Sequence, residues 1–188
     1  MKIISFYKDE KKMIRKAIAS DRGAQEWLYN KYASTMLSVC RQYVRDLQFA
    51  EDVMIKAFFK VFKNLKTYRA EGSFEGWIRK TMIRECIDHL RKRSLVVFDE
   101  EKCARIEGIN INFEADLDAE VIQELIDNLP VGYRTVFVLC AVEGYKHEEV
   151  AQLLQISVST SKTQLFKARR MLQDQLALLY SSEQSKTS

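Results

Sequence analysis

The chain has 188 residues, 47% of them hydrophobic and 30% charged, with a formal net charge of +4 and a pI near 8.8. That length allows one domain or two small ones with ordinary cores, and the mild basicity is compatible with a nucleic-acid partner without requiring one. Cys40, Cys86, Cys103 and Cys140 are scattered, form no C-x-x-C pair and have only His89 and His147 to help them, which argues against a structural zinc site and for buried free thiols in a reducing cytoplasm.

The N-terminal M-K-I-I-S-F-Y-K-D-E-K-K has too short an apolar run for a signal peptide, and no later stretch is apolar enough to span a membrane, so a soluble cytoplasmic protein is expected. Pro130 is the only proline and there are six glycines, too little turn chemistry for many strands. Helical periodicity recurs almost throughout. The fold class is therefore read as all-α.

In chain order, Met1 to Ser20 offers a short amphipathic helix through Met13, Ile14, Ala17 and Ile18. From Gly23 to Val44 an apolar stripe runs through Trp27, Leu28, Tyr32, Met36, Leu37, Cys40 and Tyr43, and Asp46 supplies a stop and a cap. The next helix, about Gln48 to Leu65, buries Ala50, Val53, Met54, Ala57, Phe58, Val61, Phe62 and Leu65. Its opposite face carries Ile55 and Phe59 among Glu51, Asp52, Lys56, Lys60 and Lys63. Apolar residues inside a charged rim mark either a protein-docking face or a patch covered by a further helix of the same domain.

After the loop K-T-Y-R-A-E-G, Ser73 caps a long helix in which Trp77, Ile78, Met82, Ile87 and Leu90 alternate with Arg79, Lys80, Arg84, Arg91, Lys92 and Arg93. Aromatic rings beside cations suit single-stranded DNA, although Trp77 at helical spacing reads as core. Ser94 to Asp118 loses the helical period and holds acid clusters at Asp99 to Glu101 and Glu114 to Asp118, the composition of a flexible acidic linker. A second domain starts at Ala119 with a helix through Val121, Leu125 and Leu129. Pro130 opens the next, with Val131, Val136, Phe137, Leu139 and Cys140 inward and Gly144 as its C-terminal cap.

Tyr145 to Leu172 is a helix-turn-helix pattern. Val150, Ala151 and Leu154 line the inside of the first helix, Ile156 plugs the corner, and Ser157 caps a second helix whose inner stripe is Val158, Leu165, Ala168 and Leu172. The other faces of that helix carry Ser159, Thr160, Lys162, Thr163, Gln164, Lys167 and Arg170, residue types that meet phosphates and base edges in a major groove. A left-handed Gln155 at the turn would cost of order 1 kcal/mol. His147, at a helix start beside Glu148 and Glu149, is explained by capping and solvation. The tail from Ser181 to Ser188 is expected to be disordered.

Four motifs in order, A-E-D-V-M-I-K-A-F-F-K-V-F at Ala50–Phe62, W-I-R-K-T-M-I-R-E-C-I-D-H-L-R-K at Trp77–Lys92, L-P-V-G-Y-R-T-V-F-V-L at Leu129–Leu139 and the terminal hairpin, together resemble the extracytoplasmic-function group of bacterial RNA polymerase sigma factors. The resemblance covers about Gly23 to Leu176 and implies two helical domains, residues 1–93 and 119–180, joined by the linker 94–118. It implies as partners core RNA polymerase, both the beta-prime clamp helices and the beta subunit, and promoter DNA as duplex and as melted single strand.

By that resemblance Glu51, Asp52, Ile55, Lys56 and Phe59 dock on the polymerase. Lys66, Tyr68, Arg69, Arg79, Lys80, Arg84 and Arg91 bind the minus-ten element, with a flipped base held by the Lys66 to Gly72 loop, and Ser159, Thr160, Lys162, Thr163, Gln164, Lys167 and Arg170 read the minus-thirty-five element. An anti-sigma factor is a further partner implied. The sequence departs from the family pattern at Gln155, usually glycine, at Ser161, commonly aliphatic, at Gln164, often arginine, and at Arg84, often asparagine.

No cofactor, metal site or catalytic residue is expected, for there is no glycine-rich phosphate loop, no metal-ligand spacing and no nucleophile with a base. Two other readings are a stand-alone helix-turn-helix repressor and a protein-interaction module without DNA binding. The first leaves the Trp77 helix without a task, and the second predicts no salt-dependent DNA affinity.

Overall fold

Caps and apolar spacing set the helix boundaries in the computed structural model, which describes residues 2–92 and 119–184, with side chains from Glu10 to Lys92 and from Val121 to Leu179. The described residues form eight α-helices and no strand, as the periodicity requires. They are α1 (Lys2–Ile18), α2 (Arg22–Tyr43), α3 (Leu47–Lys63), α4 (Phe74–Lys92), α5 (Ala119–Asp127), α6 (Val131–Phe137), α7 (His147–Leu154) and α8 (Val158–Gln184). The linker, Cys103 and the last four residues lie outside the described residues.

The chain divides into two compact units, Met1–Leu90 and Arg91–Ser188. In the first, Ser20 takes a left-handed φ of 66° that turns the chain out of α1, and the Asp21 carboxylate caps α2 by accepting from the Ala24 N–H at 2.8 Å. Asp46 caps α3 in the same way, accepting from the Phe49 N–H at 3.0 Å. The Ser73 hydroxyl accepts from Gly76 N–H at 3.0 Å and starts α4, as expected. These caps set the phase of each helix. Leu28, Met36 and Tyr43 from α2, Val61 from α3, and Ile78, Met82, Ile83 and Ile87 from α4 thereby turn to one core, all nearly inaccessible to solvent. Burial of each such side chain contributes about 1.5–3 kcal/mol. Cys40 and Cys86 sit in this core as free thiols.

In the second unit the helix expected from Pro130 to Gly144 is broken in two. Pro130 stands at the N-cap of α6, one position before the first turn, and α6 gives way after Phe137 to a π-helical turn over Val138–Val142. The wider turn keeps both Val138 and Leu139 buried, and Gly144, at φ 74°, ends it. Leu125, Leu129, Val136, Val150, Leu154, Leu165 and Ala168 complete the core. Arg134, 2% exposed, places Nη1 3.2 Å from the Asp127 carbonyl and so ties the end of α5 to α6. At its far end α8 continues to Gln184, past the position where the tail was expected to begin. Among the described residues no helix is long and apolar enough to cross a membrane.

Candidate nucleic-acid and protein interfaces

On α3 the buried face takes Ala50, Val53, Met54, Ala57, Phe58 and Val61, so helical phase forces the intervening residues outward. Ile55 is 51% and Phe59 78% exposed, with Glu51, Asp52 and Lys56 exposed around them. No further helix among the described residues covers this strip. Leu47, 52% exposed, extends the strip by two turns toward the helix start. It was missed in the sequence, where only its helical spacing from Glu51 and Ile55 marks it. At the other end Lys60 is ion-paired with Glu85 of α4.

The segment between α3 and α4 is a short built loop. A 3-10 turn at Leu65–Thr67 buries Leu65, Ala70 takes a left-handed φ of 58°, and the Tyr68 hydroxyl donates to the Gly72 carbonyl at 2.8 Å, closing the loop. The Tyr68 ring meets Phe74 edge-on at 5.1 Å and Trp77 at 5.5 Å, while Phe74 and Trp77 stack at 5.9 Å. Trp77 is half-buried in this cluster, between the core role expected of it and an open stacking platform. Burial, with a smaller contribution from Glu10, pushes the Tyr68 phenol above its ordinary range, so it stays a neutral donor. Lys66, Arg69, Lys80 and Arg84 are exposed, and Arg79 and, in the last turn of α4, Arg91 are half-buried. Behind the loop, toward α1 and α2, lies an open cleft of about 1080 Å³ lined by Ile14, Tyr32, Tyr68 and Phe74 among others. Nothing in the sequence pattern signalled this cleft, because it needs α1 and the loop to meet.

In the hairpin α7 packs on α8. The Glu149 carboxylate accepts from the Lys146 N–H at 2.8 Å at the start of α7, and Gln155 ends it at φ 57°, the left-handed turn expected without the glycine that would relieve it. The Ser157 hydroxyl accepts from the Thr160 N–H at 2.9 Å and caps α8 as expected; it also lies within hydrogen-bond reach of the Ser159 and Thr160 hydroxyls.

Two expectations are corrected here. Gln164, assigned to the groove-facing set, is 4% exposed and belongs to the interior, because it lies a turn from the buried Ser161 and Ala168 on the inner stripe. His147 is half-buried and not fully solvated: its Nδ1 stands 2.9 Å from the hydroxyl of the fully buried Ser161, with the Cys140 thiol 3.9 Å away. This contact explains how a serine occupies an inner position. Burial raises the Cys140 thiol above its ordinary range, against smaller opposing effects of Ser161 and Arg169.

Of the remaining groove-facing set, Ser159, Lys162 and Arg170 are exposed and Thr160, Thr163 and Lys167 half-buried at the edge of the same face. Phe166, 66% exposed between Lys162 and Arg170, belongs with them and was missed, though helical spacing alone could have found it. The helix thus presents cations for phosphates, short hydroxyls and one apolar ring suited to a thymine methyl. Among the described residues no group of three or more His, Cys, Asp or Glu side chains could hold a metal ion.

Family models for sigma-70 region 2 and sigma-70 region 4 match residues 28–96 and 119–172 respectively. The chain is 30% identical over 135 residues to the RNA polymerase sigma factor SigV of Bacillus subtilis, spanning 71% of this chain and 80% of that protein. It is 26% identical to the RNA polymerase sigma-H factor of Pseudomonas aeruginosa over 87% of this chain and 91% of that one. Among solved structures, the sigma factor RpoE in complex with the anti-sigma factor NepR from Bartonella quintana is similar in fold, with a TM-score of 0.53 at 18% identity over 81% of this chain and 96% of that one.

Proposed function

The chain belongs to the extracytoplasmic-function group of RNA polymerase sigma factors, and from that premise we propose a division of labour among its surfaces. As a sigma factor it binds core RNA polymerase, directs it to promoters and helps open the minus-ten region. The α3 strip of Leu47, Glu51, Asp52, Ile55, Lys56 and Phe59 docks on the clamp helices of the beta-prime subunit. The Tyr68 loop, with Lys66 and Arg69, and the cations of α4, Arg79, Lys80, Arg84 and Arg91, hold the melted minus-ten strand. Extruding a base costs a few kcal/mol, recovered from stacking and polar contacts in the loop.

The outer face of α8, with Ser159, Thr160, Lys162, Thr163, Phe166, Lys167 and Arg170, reads the minus-thirty-five duplex. The polymerase performs the chemistry of transcription, and this chain acts as an initiation factor and not as an enzyme. Its further partners are the beta subunit and an anti-sigma factor.

The observation that carries this assignment is Phe59, 78% exposed beside Ile55 inside a charged rim. A large apolar ring held in water is disfavoured unless a partner covers it. The test is reconstitution: the purified chain is added to sigma-free core polymerase, followed by size-exclusion chromatography and transcription from a library of promoter fragments. Co-elution with promoter-specific transcripts is expected. A chain that ignores core but shifts duplex DNA would refute the assignment.

A further inference from the structure

The first helix carries none of the surfaces assigned above, yet one of its side chains is wired to the loop that they depend on. Glu10, in the third turn of α1, has a side chain only 15% exposed and is ion-paired with Lys31 of α2. The same carboxylate oxygen accepts from the Tyr32 hydroxyl at 2.7 Å. Lys31 in turn lies over the rings of Trp27 and Tyr32, with Nζ 5.3 and 5.2 Å from their centroids, so the pair is braced from both sides.

From Tyr32 the contact continues into the loop. Tyr32 is 6% exposed and meets Phe74 edge-on at 5.8 Å, and Phe74 is the residue against which Tyr68 and Trp77 are set. A rotated Tyr32 would move the floor under Phe74. The Tyr68 hydroxyl that closes the loop onto Gly72 sits at the other end of that chain of rings. Glu10, Tyr32, Tyr68 and Phe74 all line the open cleft that lies between α1 and the loop.

We propose that Glu10 is a positioning residue for promoter melting: by fixing the Tyr32 hydroxyl it sets the Tyr32–Phe74–Tyr68 ring series, and so the shape of the loop that receives the melted strand. The proposal rests on the assignment of the 66–72 loop to the minus-ten strand. It gives α1 a function without contact with DNA.

The experiment uses the full chain bound to core polymerase and a fluorescent non-template-strand oligonucleotide spanning the minus-ten region of a promoter selected by that holoenzyme. Four variants are compared: Glu10→Ala, Glu10→Gln, Tyr32→Phe and the double variant Glu10→Ala with Tyr32→Phe. All are measured at a temperature where circular dichroism shows them folded, with core affinity determined in parallel.

Glu10→Ala is expected to weaken strand binding and slow promoter opening about tenfold while core affinity stays unchanged, a loss equivalent to one hydrogen-bonded contact. Glu10→Gln keeps an acceptor for Tyr32 and should retain most of the wild-type binding. In the Tyr32→Phe background the Glu10→Ala change should have little further effect, because the relay is already cut. Wild-type strand affinity in Glu10→Ala, equal losses in Glu10→Gln and Glu10→Ala, or additive losses in the double variant would each overturn the proposal. A wild-type chain that binds core and transcribes yet ignores the single strand would overturn the loop assignment and the proposal together; one that fails to bind core would remove the sigma-factor assignment of surfaces as well.

Discussion

At the residue scale, Gln155 and Tyr32 make measurable statements. Gln155 is left-handed at φ 57°, a conformation that glycine adopts without Cβ strain. Gln155→Gly is therefore expected to stabilise the second unit by up to about 1 kcal/mol, read as a higher urea midpoint. An unchanged or lower midpoint would mean that the side chain stabilises the turn in a way that offsets the strain. Burial first, and the hydrogen bond to Glu10 second, push the Tyr32 phenol well above its ordinary value of 10.0.

The sign follows from which state holds the proton. Below the ordinary value both states hold it and the stabilising contribution is complete. Above it the unfolded chain releases the proton while the folded chain keeps it, so stability falls as pH rises. Denaturation midpoints taken between about pH 8 and 11 should decline for the wild type and decline less steeply for Tyr32→Phe.

At the scale of elements, the predictions concern faces of helices. Phe59→Glu on α3 should change folding stability by no more than about 0.5 kcal/mol, because the ring is 78% exposed, yet it places a carboxylate where an apolar contact is needed. Titration against core polymerase should show the loss, and unchanged affinity would remove α3 as the docking surface. On α8, replacing Lys162 and Lys167 with alanine should weaken duplex promoter binding and lower the slope of log affinity against log salt by about two, since each lysine is taken to neutralise one phosphate. Phe166→Ala on the same face should alter which fragments are selected and leave that slope unchanged, because an apolar contact releases no counterion. A changed slope for Phe166→Ala would mean that the helix docks differently.

At the scale of the molecule, the protein is two compact units on one chain, Met1–Leu90 and Arg91–Ser188. Under the proposed division of labour, promoter recognition consists of two linked binding events, in which the second proceeds at a high effective concentration set by the connection. A protease site placed between residues 94 and 118 tests this. Cleavage should leave α3 competent to bind core and the hairpin competent to shift duplex DNA at raised concentration, while promoter-specific transcription is lost. Full transcription after cleavage would mean that each unit engages the polymerase strongly enough alone.

Much of the arrangement was legible in the sequence because it follows from local rules. The all-helical fold, the caps at Asp46, Ser73 and Ser157, the exposed Ile55 and Phe59 and the left-handed Gln155 depend on helical phase, hydroxyl and carboxylate capping and the scarcity of proline and glycine, each of which acts within a few residues. Where two helices must meet, local rules run out. That His147 reaches Ser161, that Val138–Val142 widens into a π-helical turn, and that Glu10 reaches Tyr32 across twenty-two positions were decided only by the tertiary structure. Polarity predicts exposure only when no partner lies opposite, and the partner that satisfies an inward-facing imidazole or carboxylate comes from a distant segment whose approach the packing alone determines.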